Sequence, residues 1–401
     1  MNTYISPNDT QRTTDSESIR AAIALAVESG SGRVRIPRLN ERTGEALWVI
    51  DSAIALPSNI EILIDGAHLM LADGCYCNMF TCGDPKAKNG RKACGETKNV
   101  TVRGRGNAIL DGGKYNGLSE KNHSQNGLPH IFNNTTMLFF NTSNLLVEDL
   151  NIINQRWWAI TNVFVHHATY RNIRFRADIS RIDENGVHHP DELPTRYREI
   201  YVKNADGIDL RIGCHDFLIE NISGRTEDDS IALTALGEWE KKNGYVVEGA
   251  STDIHDVVIK NVSTDAYICS NVRLLNDEGN KLYNVLIDGV TSLHEREEYR
   301  CKATVRIGDT VYAKTDSSVG DTYNVTVRNV ISTATNAVTV CKGLVDSTIE
   351  NVTVLEGEAG IRAIPFATLK NCKIKHVLPI ADGSVSFIED GFTLENTEME
   401  L

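Results

Sequence analysis

The sequence predicts an all-β fold: a single-stranded parallel β-helix, or solenoid, with an N-terminal helix that caps it. Three observations predict this fold. A short phrase of alternating apolar residues that ends in Asn or Asp recurs from Asn99 to Cys372. The copies that end at Asn329, Asn351 and Asn371 are 351 − 329 = 22 and 371 − 351 = 20 residues apart, which is the length of one solenoid coil. The hairpin turns that a sandwich or barrel would need are scarce.

The first predicted element is an amphipathic helix over residues 15–30. Its apolar face consists of Ile19, Ala22, Ile23, Ala26 and Val27. Asp15 or Ser16 is expected to cap the N-terminus, and Gly30 to end the helix. A helix in this position can cover the open end of a solenoid core, so we predict one domain over residues 1–401.

Short strands follow the helix. Alternating apolar residues predict strands over 33–37, 47–50 and 60–64, and each later copy of the phrase predicts another. The Asn residues that end the copies tolerate left-handed backbone and can stack from coil to coil. We therefore expect Asn ladders at the bends.

Two insertions interrupt the pattern, over residues 75–98 and 178–199. The first carries four cysteines, Cys75, Cys77, Cys82 and Cys94, whose spacing fits no common zinc pattern. The second carries His188 and His189 and ends just before Asn204. Loops on a rigid scaffold often hold binding residues, so a mobile segment here could bring a histidine over the site. A solvated histidine is the alternative.

Composition excludes some partners. The formal net charge of −13 argues against nucleic acid and against an anionic membrane surface. No run of about 18 apolar residues predicts a membrane span, and the N-terminus lacks the features of a signal peptide. Nine cysteines without a secretion signal predict free thiols and a cytoplasmic location.

Two acidic clusters have the spacing of one coil. Asp206 and Asp209 form the first, and Asp228 and Asp229 the second; 228 − 206 is 22 and 229 − 206 is 23 residues. Residues one coil apart lie on adjacent strands, roughly 4.8 Å apart. Their alternative role is structural, as turn residues or ladder members.

Crowded carboxyl groups can cleave a glycosidic bond. One must be protonated to donate to the leaving oxygen, and another ionised to activate water or attack the sugar. Neighbouring carboxylates raise each other's proton affinity. Adjacent strand residues point to opposite faces, so Asp228 and Asp229 can share a site only if the chain bends, which Gly224 permits.

The clusters resemble a known family. Asn204-Ala205-Asp206-Gly207 and Asp228-Asp229 are similar to the Asn-x-Asp-Gly and Asp-Asp motifs of glycoside hydrolase family 28, the polygalacturonases and relatives that act on pectin. Arg156-Trp157-Trp158 resembles the family's tryptophan-bearing coil, and the resemblance extends over most of the chain. It implies a right-handed parallel β-helix and hydrolysis with inversion. Asp228 would be the general acid, with Asp206 and Asp229 holding the attacking water.

The sequence departs from the family at two motifs. Ser270 or Asn271 stands where a Gly-His-Gly motif has its histidine, and Arg306-Ile307-Gly308 keeps the arginine of an Arg-Ile-Lys motif without its lysine. In the family that motif grips a uronate carboxylate. Arg273 could replace the lost charge, or the substrate could be a neutral or differently charged sugar.

Eight residues are expected to bind substrate: Asn204, Asp209, Trp157, Trp158, Arg273, Arg306, His189 and Ser270. At most one of the two tryptophans is expected on the groove, because adjacent strand residues face opposite ways. The alternative for the arginines is a surface salt bridge. Trp239 is a further candidate for contact with the groove.

Three functions are consistent with these residues. The first is an exo-acting, inverting glycosidase that acts on oligosaccharides without a cofactor or metal. The second is a Ca²⁺-dependent lyase with Arg273 or Arg306 as the base. The third is a non-catalytic glycan-binding β-helix. An oligosaccharide is the expected partner in each, and lateral packing could also form a homo-oligomer.

Overall fold

The structure is a computed structural model, and it describes residues 4–85, 95–113, 118, 123–177, 206–267, 269–277, 279–295, 300–309, 319–365, 367–389 and 391–401. The chain divides into two compact units, Met1–Ala205 and Asp206–Leu401.

Unit 1 contains the N-terminal helix and ten strands among its described residues. The helix α1 spans Asp15–Glu28, and short 3₁₀ helices span Pro7–Thr10 and Ile131–Asn134. The strands are β1 (Arg33–Pro37), β2 (Trp48–Ile50), β3 (Ile54–Ala55), β4 (Ile60–Asp65), β5 (His68–Leu71), β6 (Phe80–Cys82), β7 (Thr97–Arg105), β8 (Ile109–Asp111), β9 (Met137–Ile153) and β10 (Ile160–Arg176).

Parallel pairing stacks the coils of unit 1 in register. Val34, Ile62, Val102, Val147 and Tyr170 lie opposite one another along β1, β4, β7, β9 and β10. All five are fully buried. Burying a large apolar side chain is worth about 1.5–3 kcal/mol, so this inward column stabilises the stack of coils.

The predicted helix forms, but its cap is Thr14 and not Asp15 or Ser16. The Thr14 hydroxyl accepts a hydrogen bond from the Glu17 amide, and the Glu17 carboxylate accepts one from the Thr14 amide. Asp15 instead accepts the Val49 amide at 2.7 Å. Ser16 accepts the amide of Asp51 at 2.9 Å. Tertiary contacts with the coil around β2 therefore recruit both polar side chains away from the cap.

Unit 2 contains the remaining described elements. They are β11 (Ile208–Leu210), β12 (His215–Thr226), β13 (Ile231–Ala235), α2 (Glu238–Lys242), β14 (Ile254–Ala266), β15 (Ser270–Asn276), β16 (Leu282–Ser292), β17 (Ala303–Ile307), β18 (Thr322–Ser332), β19 (Asn336–Val340), β20 (Leu344–Val345), β21 (Thr348–Val354), β22 (Ala359–Ala363), β23 (Thr368–Lys370), β24 (Lys373–Pro379), β25 (Val385–Glu389), β26 (Thr393–Glu395) and β27 (Glu398–Glu400).

Unit 2 repeats the same parallel stacking. Ile219, Ile259, Ile287, Val327 and Ile349 lie opposite one another on β12, β14, β16, β18 and β21. Each is at most 2% exposed. Side chains one residue away in each strand point outward, which leaves the outer face of the coils for polar groups.

The predicted Asn ladders are present in both units. Asn99, Asn144, Asn221 and Asn261 have φ between 53° and 57°, a left-handed conformation that Asn adopts more readily than most residues. The Asn144 amide donates to the Asn99 side-chain oxygen at 3.0 Å, and the Asn261 amide donates to Asn221 at 3.2 Å. Each bend is thus tied to the next coil.

These observations confirm the predicted fold class, a parallel β-helix with an N-terminal helix. Within the described residues, the helices are too short or too polar to cross a membrane.

Candidate active site

The two acidic clusters meet on neighbouring coils of unit 2. Strand β11 pairs in parallel with β13, and Ile208 lies opposite Ile231, so this coil has 231 − 208 = 23 residues. The Gly207 amide donates to the Asp229 carbonyl oxygen at 3.0 Å. The same register sets Asp206 opposite Asp229, which confirms the predicted spacing of one coil.

The chain bends at the second acidic cluster, as the sequence predicts. Strand β12 ends at Thr226 and β13 begins at Ile231, so Asp228 and Asp229 lie outside the regular strands. The Thr226 hydroxyl donates to the Asp228 carbonyl oxygen at 2.8 Å and supports the bend. One carboxylate oxygen from each aspartate and the Cys269 sulfur all lie within 4.8 Å of one another. The two carboxyl groups therefore share one site.

The next coil orients the Asp229 carboxylate. The Ser270 hydroxyl donates to Asp229 Oδ1 at 2.6 Å, and Arg273 Nη1 donates to Oδ2 at 3.1 Å. Asp229 itself is 1% exposed. Asp228 is only half-buried, so it is the member of the adjacent pair that can reach a bound ligand.

Arg273 is held inside the protein by two carboxylates. Besides Asp229, its guanidinium pairs with Asp309, which also contacts Arg306 Nη2 at 3.2 Å. Burial by itself would lower the pKa of Arg273, but Asp229, Cys269 and Asp309 outweigh it and raise that pKa well above its usual value. Arg273 therefore stays cationic, and its guanidinium orients Asp229.

Asp209 is a buried carboxyl group that keeps its proton. It is fully buried, and burial is the largest cause that raises its pKa to about 8. Arg211 and a side-chain hydrogen bond with Asp206 oppose the shift, while the negative charges of Asp229 and Asp228 add to it. Arg211 also forms an ion pair with Glu240 on α2, with 2.5 Å between Arg211 Nε and Glu240 Oε1. Asp209 is thus neutral at pH 7, close to the carboxyl groups of Asp228 and Asp229.

The cluster of Asp228, Asp229 and Cys269 has three groups that could in principle hold a metal ion. Two features of its surroundings disfavour a cation. Arg273 already contacts Asp229, and Arg306 Nη1 lies 3.7 Å from the Cys269 sulfur. Burial, followed by the charge of Asp229, raises the pKa of the Cys269 thiol well above its usual value. We assign no metal to this cluster.

A basic cleft of about 260 Å³ lies on later coils of unit 2. Its lining includes Lys302, Arg306 and Arg362, together with the polar side chains of Asn336 and Thr339. Strand pairing aligns Arg273, Arg306, Thr339 and Arg362 in one column. Coils are spaced by roughly 4.8 Å, so Arg306 and Arg362 lie about 10 and 19 Å along the solenoid from the coil of Asp229.

The two predicted tryptophans lie in unit 1. Both are buried, Trp157 at 2% and Trp158 at 7% exposure, and their ring centroids are 5.8 Å apart. They precede β10, and Trp157 has a φ of 53°, so the alternation of a regular strand does not apply to them. Trp158 also contacts the Phe132 ring at 5.5 Å. Contact of either indole with a sugar stays a prediction.

The structure describes only some of the remaining predicted residues. Asn204, His188 and His189 lie outside the described residues. Trp239 is half-buried on α2.

Sequence reasoning missed Asp309, Cys269 and Glu240. Asp309 follows Arg306 by three residues, which was the one available signal. No neighbouring residue in the sequence points to Cys269 or Glu240. Their contacts in the site, Asp228 for Cys269 and Arg211 for Glu240, lie 41 and 29 residues away in the chain.

Comparison with known proteins adds information at the level of the fold. No family model matches the sequence, and no curated protein matches it. Among solved structures, a polygalacturonase from Erwinia carotovora aligns with a TM-score of 0.58 and 13% identity, over 96% of this chain and 94% of that one. The fold is that of the polygalacturonase-like β-helix proteins.

Two other similar structures are not polygalacturonases. A tailspike protein mutant of E. coli bacteriophage HK620, in complex with a pentasaccharide, aligns with a TM-score of 0.61 and 14% identity, over 98% of this chain and 78% of that one. The surface adhesin PfbA of Streptococcus pneumoniae aligns with a TM-score of 0.53 and 13% identity, over 98% and 91%. At these identities the likeness concerns the fold alone.

Proposed function

We propose that the chain is an inverting, exo-acting glycoside hydrolase that cleaves an oligosaccharide at Asp206, Asp228 and Asp229. The observation that carries the proposal is the one-coil register that sets Asp206 beside Asp229, with Asp228 half-buried next to them. Three crowded carboxyl groups supply the acid and the base that glycosidic cleavage requires.

Exposure supports a division of roles among the carboxyl groups. Asp228 is the general acid, because it is the more accessible of the adjacent pair. Asp206 and Asp229 hold the attacking water, with the Asp229 carboxylate oriented by Ser270 and Arg273. Asp209 keeps a proton but is fully buried, so it cannot reach the glycosidic oxygen and influences the site through its neighbours.

The basic cleft supports a substrate with an acidic group. Lys302, Arg306 and Arg362 give its lining three cationic side chains, and no Asp or Glu is among the described lining residues. Arg362 also contacts Glu358 at 3.4 Å and Arg306 contacts Asp309 at 3.2 Å, so the charges of both arginines are partly compensated. A carboxylate or sulfate on the sugar would bind there by charge-assisted hydrogen bonds. This contrasts with the net charge of −13 of the whole chain.

A product assay tests the hydrolase proposal. Wild type, Asp228→Asn and the exposed-site control Asp382→Asn would be incubated with a panel of plant oligosaccharides and aryl glycosides. We expect one sugar to be released by the wild type and the control, and the release to fall by at least about 100-fold in Asp228→Asn. Full activity of Asp228→Asn would refute the assignment of the acid. A mixture of longer fragments would refute exo action.

Binding to matched ligands tests the acidic substrate. Calorimetry would compare trigalacturonate, its methyl ester and a sulfated disaccharide, each with the Asp228→Asn variant so that none is consumed. Losing a charged hydrogen bond weakens binding by roughly 10- to 100-fold. We expect that loss for the charged ligands when Lys302→Gln and Arg362→Gln are combined, and none for exposed Lys373→Gln. Equal affinities for trigalacturonate and for its methyl ester would refute the proposal of an acidic substrate.

A non-catalytic glycan-binding function is the second candidate. The similar structures include an adhesin and a tailspike protein mutant in complex with a pentasaccharide, and Ser270 or Asn271 stands where the hydrolase family that the sequence resembles has a motif histidine. Calorimetric binding of an oligosaccharide, with no product after long incubation, would favour this function.

The lyase alternative has less support. A base must lose its proton, but Arg273 lies between two carboxylates that raise its pKa. The pKa of Arg306 is raised as well, because Cys269 and Asp309 outweigh the effect of its burial.

A further inference from the structure

Two cysteines of the first insertion form a close pair in unit 1. The sulfur atoms of Cys75 and Cys77 are 3.0 Å apart, and both residues are partly exposed. They lie in the bend between β5 and β6, where the Cys75 amide donates to the Ala72 carbonyl oxygen at 3.0 Å. Cys82, on β6, is buried at 1% exposure. The pair is thus accessible, while its nearest described cysteine in the chain is not.

The two thiols are not equivalent. Their hydrogen bond stabilises the thiolate of Cys75, which lowers the pKa of Cys75, and it raises the pKa of Cys77. Two charged groups from neighbouring elements also act on the pair: Asp51 acts on both thiols, and Arg20 of α1 acts on Cys77. A thiolate is the nucleophile in disulfide exchange. The pair therefore has one attacking thiol and one resolving thiol.

We propose that Cys75 and Cys77 are a thiol–disulfide exchange site that reacts with a small disulfide of the glutathione type. The Cys75 thiolate attacks one sulfur of the small disulfide, whose S–S bond breaks and releases one small thiolate. Cys77 then loses its proton to solvent and attacks the Cys75 sulfur, which releases the second small thiolate. The two cysteines lose two electrons in total, and the small disulfide gains them as two thiols.

The local geometry permits the product disulfide. Residues two apart in the chain have Cα atoms separated by at most about 7 Å, and disulfides join Cα atoms roughly 4.4–6.8 Å apart. The sulfur atoms need to approach by only about 1 Å to reach bonding distance. The reaction therefore requires no rearrangement of the coils, and it does not depend on the proposed hydrolase activity.

Mass spectrometry of the full chain in defined mixtures of reduced and oxidised glutathione tests the site. We expect a peptide with Cys75 and Cys77 crosslinked in the wild type, and the same product in the Cys94→Ser and Cys341→Ser controls. Cys77→Ser should accumulate glutathione on Cys75, because the resolving thiol is missing. Cys75→Ser should react several-fold more slowly than Cys77→Ser.

Three results would overturn the proposal. One is a stable mixed disulfide in the wild type, without the crosslinked peptide. Another is equal reaction rates for Cys75→Ser and Cys77→Ser. The third is crosslinking that occurs only after the circular dichroism signal of the β-structure has been lost, since the site would then not belong to the folded chain.

Discussion

The buried carboxyl group of Asp209 makes a sharp prediction about the pH dependence of stability. In the folded chain it keeps its proton up to about pH 8, whereas its ordinary pKa is 3.8. As the pH rises from 4 to 8, the unfolded chain releases this proton and the folded chain does not. The folded state therefore loses stability over this range relative to a chain with a neutral residue at the same position.

The magnitude follows from the size of the shift. Each pKa unit corresponds to 1.36 kcal/mol. From pH 5 up to about pH 8, the pKa of Asp209 in the folded chain, the unfolded chain has lost this proton and the folded chain has kept it. The interval from pH 5 to pH 9 therefore includes about three pH units over which the two states differ by one proton. The Asp209→Asn variant has nearly the same shape and no charge. Its stability relative to wild type should thus rise by about 4 kcal/mol from pH 5 to pH 9.

Urea unfolding of the two chains at about pH 5, 7 and 9 measures this difference. Only the difference between variants is used, so titrating groups that do not interact with Asp209 cancel. Exposed Asp382→Asn provides the matched control, and its difference from wild type should stay flat. A flat difference for Asp209→Asn would show that the carboxyl group is ionised in the folded chain, and the proposed electrostatics of the site would be wrong.

The remaining predictions concern the ion pairs and the ladders. Arg273→Met leaves the buried carboxylates of Asp229 and Asp309 without their shared partner, and should lower the free energy of unfolding by about 3–5 kcal/mol; adding Asp309→Asn should recover part of the loss, and a loss below about 1 kcal/mol in the single variant would contradict the pairing. Asn329 has a φ of 57° and donates to the Asp288 carboxylate at 2.7 Å. Asn329 also accepts a hydrogen bond from the Asn351 side chain at 3.3 Å. Thermal unfolding of Asn329→Ala should show a loss of about 1–3 kcal/mol, from these two lost hydrogen bonds and from left-handed strain, while Asn329→Gly should lose about 1 kcal/mol less because it lacks the hydrogen bonds but is not strained. Equal losses for the two variants would contradict the strain contribution.

Local patterns were sufficient for some features and insufficient for others. The alternation around Ile219 and the left-handed Asn221 depend on a few neighbouring residues, so both could be predicted. The helix cap could not, because Thr14, Asp15 and Ser16 are all good capping residues. The choice of Thr14 depends on contacts of the other two with residues 34 and 35 positions later in the chain.

The candidate site shows the same division. The one-coil spacing of Asp206 and Asp229 could be counted in the sequence, and the bend before β13 could be predicted from it. The hydrogen-bond partners of Asp229 could not be predicted, since Ser270 and Arg273 are 41 and 44 positions away. The sequence offers substrate binding and a salt bridge as roles for Arg273, and the folded chain adds that its guanidinium pairs with the carboxylates of Asp229 and Asp309.

The repeats are sufficient to predict the solenoid, because each coil contacts only its neighbours and each repeat carries its own apolar alternation and bend residue. The pairing of charges and the protonation of the carboxyl groups could not be predicted in this way. Those properties depend on burial and on distances between coils. Asp209 illustrates the reason, because its pKa of about 8 comes from exclusion of water and from charges on an adjacent coil. The residues next to Asp209 in the sequence predict neither of these effects.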